Sequence, residues 1–234
     1  MRGKKDVSEK LAHRLLAEGL GTAFLLAAIV GSGIMGVKLA GGNAGLALLA
    51  NTLATGAILI VLILIFGPIS GAHLNPAVSL ASALKHVLPW PDCFAYVGAQ
   101  LVGAVLGTWA AHLMFGQPLW QISTTLRTGP AQWFSESVAT FGLLLTIFGC
   151  VAHTPAATPY AVGLYIAAAY WFTASTSFAN PAVTIARALS NTFAGIAPSG
   201  VPAFILAQTA GMLAAVTFSA TLWPSWKHAD RLQS

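Results

Sequence analysis

Charge is what this sequence lacks most. Only 7% of its 234 residues are Asp, Glu, Lys or Arg, against about 25% in a soluble domain, which excludes a water-facing globular surface. Acidic residues are the scarcest: Asp6, Glu9, Glu18, Asp92, Glu136 and Asp230. Only Glu18 and Glu136 fall inside apolar runs. The titratable or sodium-binding cluster that an ion-coupled transporter holds at mid-depth is therefore not visible. The two cysteines, Cys93 and Cys150, lie in or at apolar runs and read as buried free thiols rather than a disulfide. No metal-ligand or nucleophile constellation stands out, so no metal, cofactor or enzymatic activity is expected. No small-residue cleavage site follows a short apolar region, and no removable signal peptide is expected.

What the sequence has in abundance is apolar surface: 56% of residues are hydrophobic, enough for six spans of about 20 residues. The formal charge of +5 is a topology signal and not a nucleic-acid one. Arg2, Lys4, Lys5, Lys10 and Arg14 precede the first apolar run, and Lys227 and Arg231 follow the last. Both termini are thus expected in the cytoplasm, with an even number of spans. After a basic tail (1–13) the spans are expected at 14–37, 46–66, 92–115, 131–151, 160–174 and 201–222. Between them lie a Gly-rich loop (38–45), a long polar connection carrying Arg127 (116–129), a Pro-rich turn (153–159) and a loop at 195–200. Trp223, Trp226 and Lys227 mark the interfacial end of the last span.

Two stretches do not fit a span. Asn75-Pro76-Ala77 and Asn180-Pro181-Ala182 each follow a long apolar run and open a segment too short to cross a bilayer. Asn is a good N-cap, and Pro in the first helical turn forfeits no hydrogen bond. Each copy reads as the start of a half-helix (75–86 and 180–193) entered through a re-entrant loop (67–74 and 175–179). Glu18 and Glu136 stand at matching places early in spans one and four. Each half is span, span, half-helix, span. Three spans per half make the chain one domain (1–234) of two inverted repeats, about 14–115 and 131–223. The half-helices then dip from opposite faces and meet mid-membrane, where irregular backbone is tolerated only inside protein or along a water-filled cavity.

Such a junction has definite electrostatics. Each half-helix N-terminus carries about half a positive charge, so two together repel cations, hydronium included. The Asn75 and Asn180 amides offer N–H donors to a single file of molecules. A water accepting from both is turned so that it cannot relay a proton.

The paired Asn-Pro-Ala repeats, the early Glu of each half and the block Ser-Gly-Ala-His-Leu-Asn-Pro-Ala-Val together resemble the major intrinsic protein (aquaporin) family, over nearly the whole chain. The resemblance implies an all-α membrane fold of six transmembrane helices and two re-entrant half-helices. It also implies a homotetramer with one pore per subunit in the plasma (inner) membrane. In most of the family the residue after the second repeat is Arg, part of the outer constriction; here it is Val183. The family pattern puts Thr55 and Ser177 at two other filter positions. For the fourth, helix-based alignment gives Tyr170 and straight counting gives Ala168. A filter of Thr55, Tyr170, Ser177 and Val183 lacks the fixed cation. It suits uncharged polyols, urea-like amides or undissociated metalloid acids such as arsenous acid, with water. Val183 and the residues after it resemble the bacterial aquaglyceroporins associated with arsenic resistance.

Four further residues carry alternatives. Arg187, four residues past Val183, either brings the missing charge to the outer vestibule or packs behind the pore on loop carbonyls. Glu18 and Glu136 are expected to brace the re-entrant loops through their N–H groups, the alternative being a proton relay. His73 is expected to brace its loop or edge the pore, the alternatives being a pH gate or a metal ligand. A passive channel for small neutral solutes and water, within a lipid bilayer, is the expected function. A water-selective channel with an unusual filter and an ion-coupled transporter are the alternatives.

Overall fold

A computed structural model describes residues 2–223, with side chains from residue 11 onward. The described residues form eight α-helices and no strand: α1 Arg2–Leu39, α2 Ala44–Ser70, α3 Pro76–Leu84, α4 Trp90–Met114, α5 Pro130–His153, α6 Thr158–Phe172, α7 Pro181–Arg187 and α8 Val201–Leu222. Five stretches are long and apolar enough to cross a membrane, lying in α1, α2, α4, α5 and α8. The sixth expected span, α6, has only 15 residues, about 22 Å at 1.5 Å per residue. Its chain continues directly into the second re-entrant loop.

Helix α1 packs on α2 and α4, α5 packs on α6 and α8, and α2 meets α6 between the two sets. Small residues allow this closeness. A Cβ on Gly103 of α4 would stand 2.1 Å from Gly19 O of α1, and one on Gly211 of α8 would stand 2.2 Å from Ser137 O of α5. Large apolar side chains such as Phe24, Val102, Phe134 and Leu206 face outward and are exposed, the surface that lipid covers.

Several boundaries move from where the sequence put them. The N-terminal stretch expected as a tail is helical from Arg2. Helix α2 runs on through Pro68 to Ser70 and ends on Gly71 at φ 86°, whose N–H donates to Gly67 O. The second half-helix is the larger correction: α7 stops at Arg187 rather than reaching residue 193. Beyond it, Arg187 O accepts from Ser190 N and Ile196 N, and Ser190 Oγ pairs with His112 Nε2 and Thr192 Oγ1. Ser, Asn and Thr side chains at 190–192 offer the backbone competing partners and turn the chain out of the helix. Cys93 is buried and free, whereas Cys150 is free but only half-buried. Trp226, Lys227 and Arg231 lie outside the described residues. Trp223, the remaining interfacial expectation, packs edge-on to His153 at 6.4 Å.

Candidate functional site

The two half-helices begin against each other. Asn75 and Asn180 are extended caps (φ −159° and −157°). Each uses its carbonyl oxygen on its own helix: Asn75 Oδ1 accepts from Ala77 N at 2.9 Å, and Asn180 Oδ1 accepts from Ala182 N at 3.0 Å and Val183 N at 3.2 Å. Each uses its amide nitrogen on the opposite loop. Asn75 Nδ2 donates to Ala179 O and Asn180 Nδ2 donates to Leu74 O, both at 2.8 Å. A primary amide has two N–H groups, so each Asn keeps one donor beyond this cross-bond, and both residues line a cavity.

The carbonyls that receive these bonds sit on strained backbone. Ala72 and Leu74 in the first loop have φ of 46° and 50°, and Ser177 and Ala179 in the second have 49° and 48°, with Thr176 at 62°. Left-handed backbone costs a residue other than Gly about 1–2 kcal/mol. Buried carboxylates hold it. Glu18 accepts from His73 N (2.9 Å), Leu74 N (2.7 Å), Ser70 Oγ (2.7 Å) and Gln100 Nε2 (2.8 Å). Glu136 accepts from Phe178 N (2.8 Å), Ala179 N (2.9 Å) and Gln208 Nε2 (2.6 Å). The two glutamines also donate into the half-helices, Gln100 to Ser79 Oγ and Gln208 to Thr184 Oγ1. His73 Nδ1 lies 3.0 Å from the same Ser79 Oγ, and its ring meets Tyr96 edge-on.

The cavity, about 280 Å³, is lined past both ends of the half-helices, from Lys85 after α3 to Arg187 at the close of α7. Its lining combines the polar loop residues with apolar side chains that include Leu25, Ile29, Leu59, Leu143, Val162 and Ile166. Thr55, Tyr170, Ser177 and Val183 all line it and are 2–3% exposed. Tyr170 OH donates to Thr55 Oγ1 at 3.3 Å, joining two of the four side chains directly. Ala168, the alternative to Tyr170, is exposed and turned away. Ser177 Oγ is buried without a hydrogen-bond partner among the described residues.

Arg187 closes α7 beside the cavity. It is 2% exposed, donates from Nε to Ala194 O, and stacks its guanidinium 3.4 Å from the Phe178 ring centroid. It also lines the cavity. The residue that sequence reasoning left out of the site is Arg127. It reaches from the 115–129 connection onto the second re-entrant loop, its Nη1 lying 3.4 Å from Ser175 O and Thr176 Oγ1. Burial pushes its guanidinium below the usual arginine range, against the opposing pull of Tyr170 and Glu136. The only sequence signal was a lone Arg in a polar loop, which by itself reads as solvated.

Residues 5–159 match the family described as Major intrinsic protein. The chain is 57% identical over 206 residues to "Aquaglyceroporin AqpS" of Rhizobium meliloti, covering 88% of each chain. It is 36% identical over 155 residues to a "Glycerol uptake facilitator protein" of Streptococcus pneumoniae, covering 59% of this chain and 64% of that one. The fold matches the X-ray structure of the aquaglyceroporin from Plasmodium falciparum with a TM-score of 0.68, at 21% identity, over 95% of this chain and 98% of that one. The chain belongs to the major intrinsic protein family, whose aquaglyceroporins are membrane channels and not enzymes.

Proposed function

We propose that this chain is a passive transmembrane channel for small uncharged solutes, namely glycerol-like polyols and undissociated metalloid acids such as arsenous acid, and for water, and that it excludes protons and ions. The observation that carries the solute reading is Val183 in the cavity wall, where the family pattern has a fixed cation. An apolar side chain there leaves Thr55, Tyr170 and Ser177 to handle a solute's hydroxyl groups without a permanent charge. The relatives named for aquaglyceroporin and glycerol-uptake activity support the polyol class.

Exclusion of cations follows from the paired half-helix N-termini, whose positive ends lie together at the Asn75–Asn180 junction. Glu18 and Glu136 act as braces: every carboxylate oxygen is occupied by loop N–H or side-chain donors, which leaves neither suited to a proton relay. His73 braces the first loop through Ser79. Residues of about 14–115 and 131–223 form inverted repeats of one channel domain. The functional unit is a homotetramer in the plasma (inner) membrane with both termini in the cytoplasm.

The direct contact between Tyr170 and Thr55 favours a second reading, a water-selective channel narrowed at that bond. Purified protein in liposomes separates the two. Stopped-flow light scattering against glycerol, arsenous acid and sucrose gradients, with a trapped pH dye, is expected to show fast glycerol and arsenous acid flux, fast water flux and no proton flux. Water flux alone would establish the second reading, and solute flux that follows a proton or sodium gradient would replace both with coupled transport.

A further inference from the structure

Helices α2 and α6 come from different halves of the chain and touch backbone to backbone. A Cβ on Gly56 would stand 2.9 Å from Gly163 O, and one on Gly163 would stand 2.6 Å from Gly56 O. Each glycine thus faces the other's carbonyl. The same added atoms would also press on Ala167 Cβ at 3.1 Å and on Ile60 Cγ1 at 2.5 Å. Gly is a poorer helix former than Ala, and both positions lie inside a helix, so local conformation gives no reason for either. The close approach does.

This seam runs beside the cavity. The residue before each glycine lines it, Thr55 on α2 and Val162 on α6. At four-residue steps, which keep to one face of a helix, the lining continues through Leu59 and Ile63 on α2 and through Ile166 and Tyr170 on α6. Tyr170 OH reaches Thr55 Oγ1 across the same seam at 3.3 Å. The crossings at Gly103 and Gly211 are placed differently. They join α4 to α1 and α8 to α5, and no described residue of α4 or α8 lines the cavity.

We propose that Gly56 and Gly163 set the bore of the channel, and so the largest polyol that it passes. They are positioning residues. Neither lines the cavity, but their contact fixes how far the lining face of α6 stands from that of α2. A Cβ at either must regain ordinary contact near 3.4 Å, which parts the backbones by about 0.5 Å at Gly56 and about 0.8 Å at Gly163. Parting of that size takes Tyr170 and Thr55 beyond hydrogen-bond reach and widens the cavity between the two faces. This role rests on the reading of the chain as a neutral-solute channel.

Erythritol and glycerol permeability of the same proteoliposomes test it, because their ratio does not depend on how many channels are folded. The erythritol-to-glycerol ratio is expected to rise severalfold in Gly163→Ala and by a smaller factor in Gly56→Ala, in the order of the two displacements. Gly103→Ala and Gly211→Ala also crowd a helix crossing but should leave the ratio at the wild-type value. A ratio unchanged in both seam variants would overturn the role, as would an equal rise in the Gly103 or Gly211 variant. A seam variant that melts as the wild type does and passes neither polyol would also overturn it, because crowding would then close the pore. A wild type that passes water and no glycerol would overturn the solute reading and the role together.

Discussion

The two re-entrant loops share a frame and differ in what fills it. In both, a buried Glu accepts from consecutive loop N–H groups, a Gln links that Glu to a hydroxyl of the half-helix, and an Asn crosses to the other loop's carbonyl. The ring two residues before each Asn differs. In the first loop it is His73, edge-on to Tyr96 at 5.4 Å; in the second it is Phe178, edge-on to Phe204 at 5.2 Å. The cations differ as well. Arg14 sits over Tyr96, hydrogen-bonded to its hydroxyl and paired with Asp92, whereas Arg127 and Arg187 sit on Phe178 with no carboxylate partner among the described residues. The frame fixes the strained backbone, and its filling sets the local field. The first loop pairs its cation directly with a carboxylate, and the second holds two that have no such direct pair among the described residues.

The largest expected effect comes from breaking the frame. Glu18→Ala leaves four donors without an acceptor and Glu136→Ala leaves three. At about 1–3 kcal/mol for each buried unpaired group, both should abolish flux, and Glu18→Ala should show the larger drop in melting temperature in detergent. Next are the helix crossings. Gly103→Val and Gly211→Val each drive a side chain into a backbone carbonyl and should cost about 3 kcal/mol or more, nearly equally, by the same assay. Unequal losses would show that one half bears more of the packing.

Smaller in stability but sharper in function is Asn180→Asp. The cap survives, because a carboxylate still accepts from Ala182 N and Val183 N, but the donor to Leu74 O is lost. A negative charge then stands between two positive helix ends, so measurable cation leak is expected by electrical recording, with a stability loss of about 1–2 kcal/mol. The smallest effect belongs to the ring itself. His73→Phe imitates the second loop, gives up one contact with Ser79, and should cost about 1 kcal/mol with glycerol flux retained. A pH-dependent flux that disappears in His73→Phe would contradict the bracing role.

Most of this frame could be read in the residues. Asn-Pro at a helix start has a local physical reason, and an isolated Glu at one place in each half has few uses in an apolar run. The extent of α7 could not be read. Ala188 and Leu189 favour helix while Ser190, Asn191 and Thr192 favour a turn, and the bonds made by Arg187 O and Ser190 Oγ fix where the helix ends. Arg127 was equally hidden, because its acceptors at 175, 193 and 195 are brought to it by the tertiary fold. Tyr170 and Ala168 differ by two residues on one short helix, and only the fold shows the first buried on the cavity and the second exposed.

The central claim is that an apolar residue at 183 opens the filter to solutes. Stopped-flow glycerol and water permeability of Val183→Arg against the wild type tests it most directly. Restoring the cation should suppress glycerol flux by about tenfold or more, the effect of roughly 1.4 kcal/mol on the barrier, while water flux persists. Glycerol flux unchanged in Val183→Arg would contradict it and place selection elsewhere in the pore.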